Sequence, residues 1–274
     1  MIQYLWLIPL GVAVGAFGTL IGAGGGFVLM PVLLLLYPNE SPRIITSISL
    51  AVVFFNALSG SIAYARMKRI EIKAGLLFSV AAAPGAVLGA LTTSYIRRRE
   101  FDAIFGILMI AVSVYLIWSA GREKDKTAAS ERGSRRFKVD LVDSEGARHI
   151  FSYNPALGVA ISVFVGFISS LLGIGGGIIH VPAMVYLLDF PVHIATATSH
   201  FILATMSLTG TVAHIVTGAF TRGVRRTICL AIGVLIGAQI GAAFSNRVKG
   251  AWIIRGLAIA LGLVGLRILF KAVM

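Results

Sequence analysis

Long apolar stretches follow one another along almost the whole of this chain, and they point to lipid as its solvent. A helix that crosses the roughly 30 Å hydrocarbon core of a bilayer needs about 20 mainly apolar residues. Eight hydrophobic units meet or approach that length, at 4–37, 44–65, 74–95, 101–119, 155–188, 194–217, 227–245 and 251–270. Basic groups interrupt them at Arg43, at Arg66, Lys68 and Arg69, at Arg97 to Arg99, at Arg222, Arg225 and Arg226, and at Arg247 and Lys249. A soluble domain of 274 residues could not cover itself with 57% hydrophobic and 13% charged residues, so soluble enzymes, disordered tails and secreted disulfide scaffolds are excluded. The lone cysteine, Cys229, allows no internal disulfide. A formal charge of +13 could serve a nucleic acid, but the bases fall between apolar runs, as in cationic membrane loops. Residues 1–10 carry no Lys or Arg and the apolar run passes the length of a signal-peptide core, so the sequence predicts a retained first helix.

The first and fifth units do not fit one straight helix. As a helix, such a run of about 34 residues would reach roughly 51 Å, well beyond the hydrocarbon core. Each carries a break: Gly22, Gly24, Gly25 and Gly26 in the first, and Gly173, Gly175, Gly176 and Gly177 in the fifth. Glycines form helices poorly and accept positive φ, which suits an unwound segment inside the membrane. Such backbone is tolerated there only when it is buried in protein or faces a wet cavity.

The two breaks are copies. Residues 15–31 aligned with 166–182 share Gly15/Gly166, Leu20/Leu171, the four glycines of each break, and Pro31/Pro182. With one residue of slippage Thr46, Ser49, Leu58, Gly60 and Ala63 then meet Thr196, Ser199, Leu208, Gly210 and Ala213. Gly85, Ala86, Gly89 and Ala90 pair with Gly237, Ala238, Gly241 and Ala242. These matches predict a duplicated transmembrane unit, 1–120 and 155–274, joined by a charged linker at 121–154. Glycine-interrupted apolar segments at matching positions of two halves point to a transporter's binding site.

The paired strings Gly22-Ala-Gly-Gly-Gly with Pro31 and Gly173-Ile-Gly-Gly-Gly with Pro182 resemble the TauE/SafE family of sulfite and organosulfonate permeases. So do Ala195-Thr-Ala-Thr-Ser, the run from Gly233 to Gly241, and a charged middle loop ending in Tyr153-Asn-Pro. The resemblance covers nearly the whole chain. It implies a prokaryotic-type integral membrane permease for small sulfur-containing anions such as sulfite, sulfoacetate or related sulfonates. The first half has Ile45-Thr-Ser-Ile-Ser where the second has Ala195-Thr-Ala-Thr-Ser, so the two halves need not contact substrate equally.

The residues themselves outline an anion site. No Lys, Arg, Asp or Glu lies near the centre of an apolar unit. A buried cation would be expensive in lipid and slow to release its cargo, so weaker donors are expected. The helices that restart at about Phe27 and Ile178 offer unpaired N–H groups and the positive end of a helix dipole. Thr19, Ser169 and Ser170 before the breaks, Ser47, Ser49, Thr198 and Ser199 after them, and Asn56 and Gln239 deeper in the bundle could complete the site. Each has a plainer role in close helix packing or structural hydrogen bonding.

His180 and His200 are the candidates for a coupling proton, because histidine titrates near physiological pH. His214, near a helix end, reads as structural. The spacing of these histidines is no metal motif, and neither metal nor cofactor is expected. No nucleophile and base arrangement, cofactor loop or carboxylate pair marks an enzyme.

In the linker, Phe137, Val139 and Leu141 alternate with polar residues, Asp143-Ser-Glu-Gly reads as a turn, and His149 to Tyr153 as a returning strand. If each break bends within one crossing, the halves are parallel; if each is a re-entrant hairpin, they are inverted. Either way most Lys and Arg lie on the side of the central loop, which predicts that it is cytoplasmic.

The sequence thus predicts an all-α, multi-pass protein of the cell (inner) membrane, with each half beginning in a glycine-broken helix or re-entrant hairpin. Its partners would be a small anion, the bilayer and, as an open possibility, further copies of itself, with no nucleic acid. Export of sulfite or an organosulfonate is the leading function. Import of a related anion, or a non-transporting scaffold with a partner-binding hairpin, are the alternatives.

Overall fold

The computed structural model describes residues 2–119, 136–220, 223–245 and 250–273; residues 121–135 of the linker lie outside them. After a 3-10 turn at Ile2–Tyr4 come α1 (Leu7–Ile21), α2 (Gly26–Leu36), α3 (Pro42–Arg66), α4 (Ile72–Thr92) and α5 (Arg98–Ser119). Strands β1 (Phe137–Val142) and β2 (Arg148–Tyr153) follow, then α6 (Pro155–Leu172), α7 (Gly177–Leu187), α8 (Val192–Val216), α9 (Val224–Phe244) and α10 (Gly250–Val273). The chain is an all-α integral membrane protein with one small hairpin. By length and composition six helices qualify as spans: α3, α4, α5, α6, α8 and α9. Large apolar side chains lie exposed on their outer faces, among them Val80, Leu88, Ile107, Val114, Phe164 and Ile236, which is the surface that lipid covers.

Small residues set the packing. Along α9, Gly233, Gly237 and Gly241 bring its backbone against Ile8, Val12 and Ala16 of α1; along α4, Gly85 and Gly89 do the same against Val163 and Phe167 of α6. This is a small-residue seam at four-residue spacing, the arrangement by which membrane helices approach closely. In both seams the residue numbers rise together, so α1 runs parallel to α9 and α6 parallel to α4. Helix α5 lies antiparallel to α10, since Arg99 Nε donates to the Ala272 carbonyl at 2.6 Å and Ser113 Oγ to that of Ala258 at 2.6 Å.

These directions decide between the two topologies left open by the sequence. Arg226 at the start of α9 lies 5.9 Å from the ring of Tyr4, ahead of α1, and 4.0 Å from that of Tyr37, at the end of α2, and it pairs with Glu40 at 2.9 Å. The α1–α2 unit therefore enters and leaves on one face. Likewise Phe190, beyond α7, packs 4.6 Å from Phe151 and 5.1 Å from Tyr153, just ahead of α6, and Asp189 pairs with Arg136 at 2.7 Å. Both glycine-broken units are re-entrant, and they enter from opposite faces. Although α6 is long enough to span by composition, α7 returns the chain to the face it came from. Helices α3, α4, α5, α8, α9 and α10 cross, and the two sets of five helices are inverted relative to each other.

The expected β-hairpin is present, with β1 antiparallel to β2 and Val139 opposite Phe151. It is docked on the chain's own surface, as a two-stranded sheet requires for stability. Ser144 N–H donates to the Met67 carbonyl at 3.0 Å, and Arg69 in the α3–α4 loop lies 3.7 Å from Asp143 and 3.4 Å from Glu145. Burial would raise the Asp143 carboxyl, but the His149 bond, the amides of Ala147 and Glu145 and the Arg69 charge hold it below the ordinary carboxylate range. A depressed carboxylate stabilises the docked state above its unfolded pKa, near 4, and that contribution is lost as pH falls through the folded value. Protection factors of the β1 and β2 amides, taken relative to intrinsic exchange at each pH, are therefore expected to fall below about pH 4, and Asp143→Asn should lower them in the same way at neutral pH. Hydrogen-exchange mass spectrometry reads both.

Candidate functional site

The breaks take the form the glycines allow. Gly22 ends α1 at φ 84° and Gly173 ends α6 at φ 70°, while Gly25 (φ 77°) and Gly176 (φ 72°) open the next helices. These are left-handed values that favour glycine. Carbonyls in the last turns of the first helices are capped from within the breaks: Ala23 and Gly24 donate to Gly18, and Ile174 to Ser169. The helices restart at Gly26 and Gly177, one residue before the positions expected from sequence. Among the described residues the N–H groups of Gly25, Gly26 and Phe27, and of Gly176, Gly177 and Ile178, find no backbone acceptor.

The two breaks lie against one another at mid-membrane. A Cβ placed on Gly26 would stand 2.5 Å from the Ile174 carbonyl oxygen, and one on Gly177 would stand 2.6 Å from that of Gly22. Val53, midway along α3, lines Gly24, Gly26 and Gly175, and Leu203, midway along α8, lines Gly24. Two serines bridge the halves: Ser49 Oγ donates to the Gly173 carbonyl at 2.5 Å, and Ser199 Oγ to that of Gly22 at 3.5 Å. The positive ends of α2 and α7 thus approach the midplane from opposite faces.

Other candidates gather in two groups, each drawing on both halves of the chain. Thr19 Oγ1 donates to Asn56 Oδ1 at 3.2 Å and lies 3.3 Å from His200 Nε2. Which partner donates in that second contact depends on the tautomer of the ring; His200 Nδ1 and Asn56 Nδ2 find no hydrogen-bond partner among the described residues. Tyr64 closes this cluster, its hydroxyl donating to the Thr19 carbonyl at 2.9 Å and its ring edge-on to His200. On the second break the hydroxyls of Thr46, Ser169 and Ser170 are fully buried without partners. Thr46 packs on Gly173 and Ser169 on Gly176. Orphaned donors of this kind are rare in folded proteins and mark places where a further partner completes the bonding.

Some candidates lie elsewhere. Gln239 is exposed on α9 and donates to Ser59 Oγ and the Ser59 carbonyl at 2.8 Å, joining α9 to α3 rather than facing a break. His180 pairs with Ser162 at 3.1 Å and meets Phe78 edge-on, nearer the hairpin face. Ser47 bonds the Ile44 carbonyl and Thr198 accepts from Glu71 N–H, so both are spent on local structure. Thr46 and Tyr64 were not singled out by sequence reasoning. The repeat carries a signal for Thr46, paired with Thr196, but Tyr64 beside Arg66 looks like an ordinary interfacial aromatic. Ser49→Ala is expected to lower stability by about 1 kcal/mol, because it leaves the Gly173 carbonyl unpaired in a buried seam; thermal unfolding of the detergent-solubilised protein measures it.

The buried charged residues Arg69, Glu71, Asp102 and Asp143 lie at helix ends or in the hairpin, away from the breaks. Among the described residues no three His, Cys, Asp or Glu side chains group as a metal site. What the centre offers is backbone N–H, hydroxyl and amide donors in a buried seam, a set matched to a weakly held anion.

The family described as sulfite exporter TauE/SafE matches residues 7–268. The chain is 33% identical over 277 residues to the probable membrane transporter protein YunE of Bacillus subtilis, covering 99% of each. It is 25% identical to a probable membrane transporter protein of Methanocaldococcus jannaschii, covering 96% of each, and 25% identical to YdhB of Bacillus subtilis, covering 98% of this chain and 100% of that one. No solved structure matches. The protein is a membrane transporter homologue, and it belongs to the sulfite exporter TauE/SafE family.

Proposed function

We propose that this chain is a permease that exports small sulfur-containing anions, sulfite, sulfoacetate or a related organosulfonate, by alternating access around the two glycine breaks. The observation that carries the reading is the pair of breaks laid against each other at mid-membrane, each with free N–H groups at a restarting helix and orphaned donors beside it. An oxyanion accepts several hydrogen bonds at once, and donors of this strength hold it without the tight binding a lysine or arginine would impose. The two halves, 1–120 and 155–274, are read as duplicated units. They place matching elements in inverted order, as transporters with a midplane site commonly do. Rocking of one set of helices against the other would open the breaks to each face in turn, with the hairpin face in the cytoplasm of the cell, where most of the Lys and Arg lie.

The test is flux of labelled sulfite, thiosulfate, sulfoacetate and taurine in reconstituted vesicles, with counterflow reading the direction. In this account His200, bonded to Thr19 and unpartnered at Nδ1, is the better placed of the two histidines to carry a coupling proton. His200→Gln is then expected to flatten the pH dependence of flux, whereas His180→Gln, whose ring is turned to Ser162 and Phe78, leaves the profile intact. An unchanged profile in the His200 variant removes proton coupling through that ring.

A further inference from the structure

Both ring nitrogens of His214 lack a hydrogen-bond partner among the described residues, and the side chain is 1% exposed. It lies on α8 one turn beyond Gly210, and so on the same helix face. Gly210 packs against Ser170 Oγ and Leu50, which places that face toward α3 and the second break. At the outer end of this α3–α8 seam, on the face opposite the hairpin, half-buried Arg43 donates to the carbonyl of Thr217, three residues beyond His214. One turn inward from Arg43 stands Thr46, its hydroxyl unpartnered, against Gly173.

At the matching place in the first half the side chain has its partner. Extending the pairing of Thr46 with Thr196 along the helices places Tyr64 at the position of His214. The Tyr64 hydroxyl is bonded to the Thr19 carbonyl, and His200 and Thr19 close on each other beneath it. The Tyr64 end of that seam is closed by a hydrogen bond, whereas at the His214 end of the other seam the imidazole and the hydroxyls of Thr46 and Ser170 have no partner among the described residues and the Arg43 cation stands outermost.

We propose that Arg43, His214 and Thr46 form an anion-holding station between the opposite face and the second glycine break. There a small oxyanion of the sulfite or sulfonate class binds on its way to or from Ser170 and the start of α7. This rests on the permease reading above and adds a second binding position to it. A neutral imidazole gives the anion one N–H donor, Thr46 a second, and Arg43 supplies the attraction at the mouth.

The test compares wild type, Arg43→Lys, His214→Leu and His214→Gln with two readouts. The first is the rise in thermal midpoint of the detergent-solubilised protein on adding sulfite. The second is sulfite uptake in vesicles of known orientation. The station predicts that His214→Leu loses at least half of the sulfite-dependent midpoint rise. It also predicts that the half-saturating sulfite concentration on the opposite face rises at least tenfold in that variant, with the value on the hairpin face unchanged within twofold. Gln, which keeps a donor and an acceptor, should restore most of both, and Arg43→Lys, which keeps the charge, should change each by less than threefold. Equal changes on both faces, or none in either readout, overturn the station and give His214 a purely structural or water-filled role. If wild type shows the midpoint rise and His214→Leu loses it, but no anion is moved, the station stands and the permease reading fails.

Discussion

Gly176→Ala is expected to lower anion flux at least a hundredfold in protein that still purifies as a single folded species. At φ 72° an L residue costs about 1–2 kcal/mol, a loss that most folded proteins survive. The new Cβ would stand 2.8 Å from Met206 Cε, 2.9 Å from Val165 Cγ1 and 3.0 Å from Ser169 Cβ. The methionine can move aside, but the other two are fixed by their helices, so the break itself must shift. The N–H groups proposed to hold the anion belong to the shifted backbone, and hydrogen bonds weaken steeply with misalignment. Gly146 provides the control, since it has φ 83° in the hairpin turn with nothing near a Cβ. Gly146→Ala should carry a similar strain with unchanged flux. A Gly176 variant that folds and transports normally would take the breaks out of the mechanism.

The double replacement Ser169→Ala with Ser170→Ala separates binding from stability. Both hydroxyls are fully buried and unpartnered, so removing them relieves desolvated groups that the resting fold does not use. The thermal midpoint should stay the same or rise. If the hydroxyls bind the cargo, the half-saturating anion concentration rises roughly 10- to 150-fold for each one that does, since each hydrogen bond to a charged group contributes about 1.5–3 kcal/mol. Loss of stability with unchanged affinity would mean that the serines serve packing. The two outcomes move opposite observables, so one pair of measurements decides.

Much of this architecture is legible in the residues because lipid allows few alternatives. The apolar units and the hairpin were readable from length and alternation. Whether a break bends or reverses was not, because glycine permits both. The decision lies in contacts between distant residues, Arg226 with Tyr4 and Tyr37, and Phe190 with Phe151. The site was partly legible. Thr19, Ser49, Ser170, Ser199 and Asn56 come to the breaks, since each sits within a few turns of a glycine cluster or its repeat. Gln239 faces outward, because the face of α9 that packs on α1 is the glycine seam, and its position in an apolar run says nothing about rotation of the helix. Tyr64 escaped notice because its partner is a backbone carbonyl 45 residues away, which no side-chain pattern announces.

The central claim is that the paired breaks carry an oxyanion across the membrane. Purified protein in liposomes, loaded with unlabelled sulfite and given labelled sulfite outside, tests it directly. The account predicts saturable counterflow that competing sulfur oxyanions reduce and that Gly176→Ala abolishes while Gly146→Ala preserves. No exchange of sulfite, thiosulfate, sulfoacetate or taurine by folded protein, or exchange indifferent to the Gly176 replacement, would contradict it.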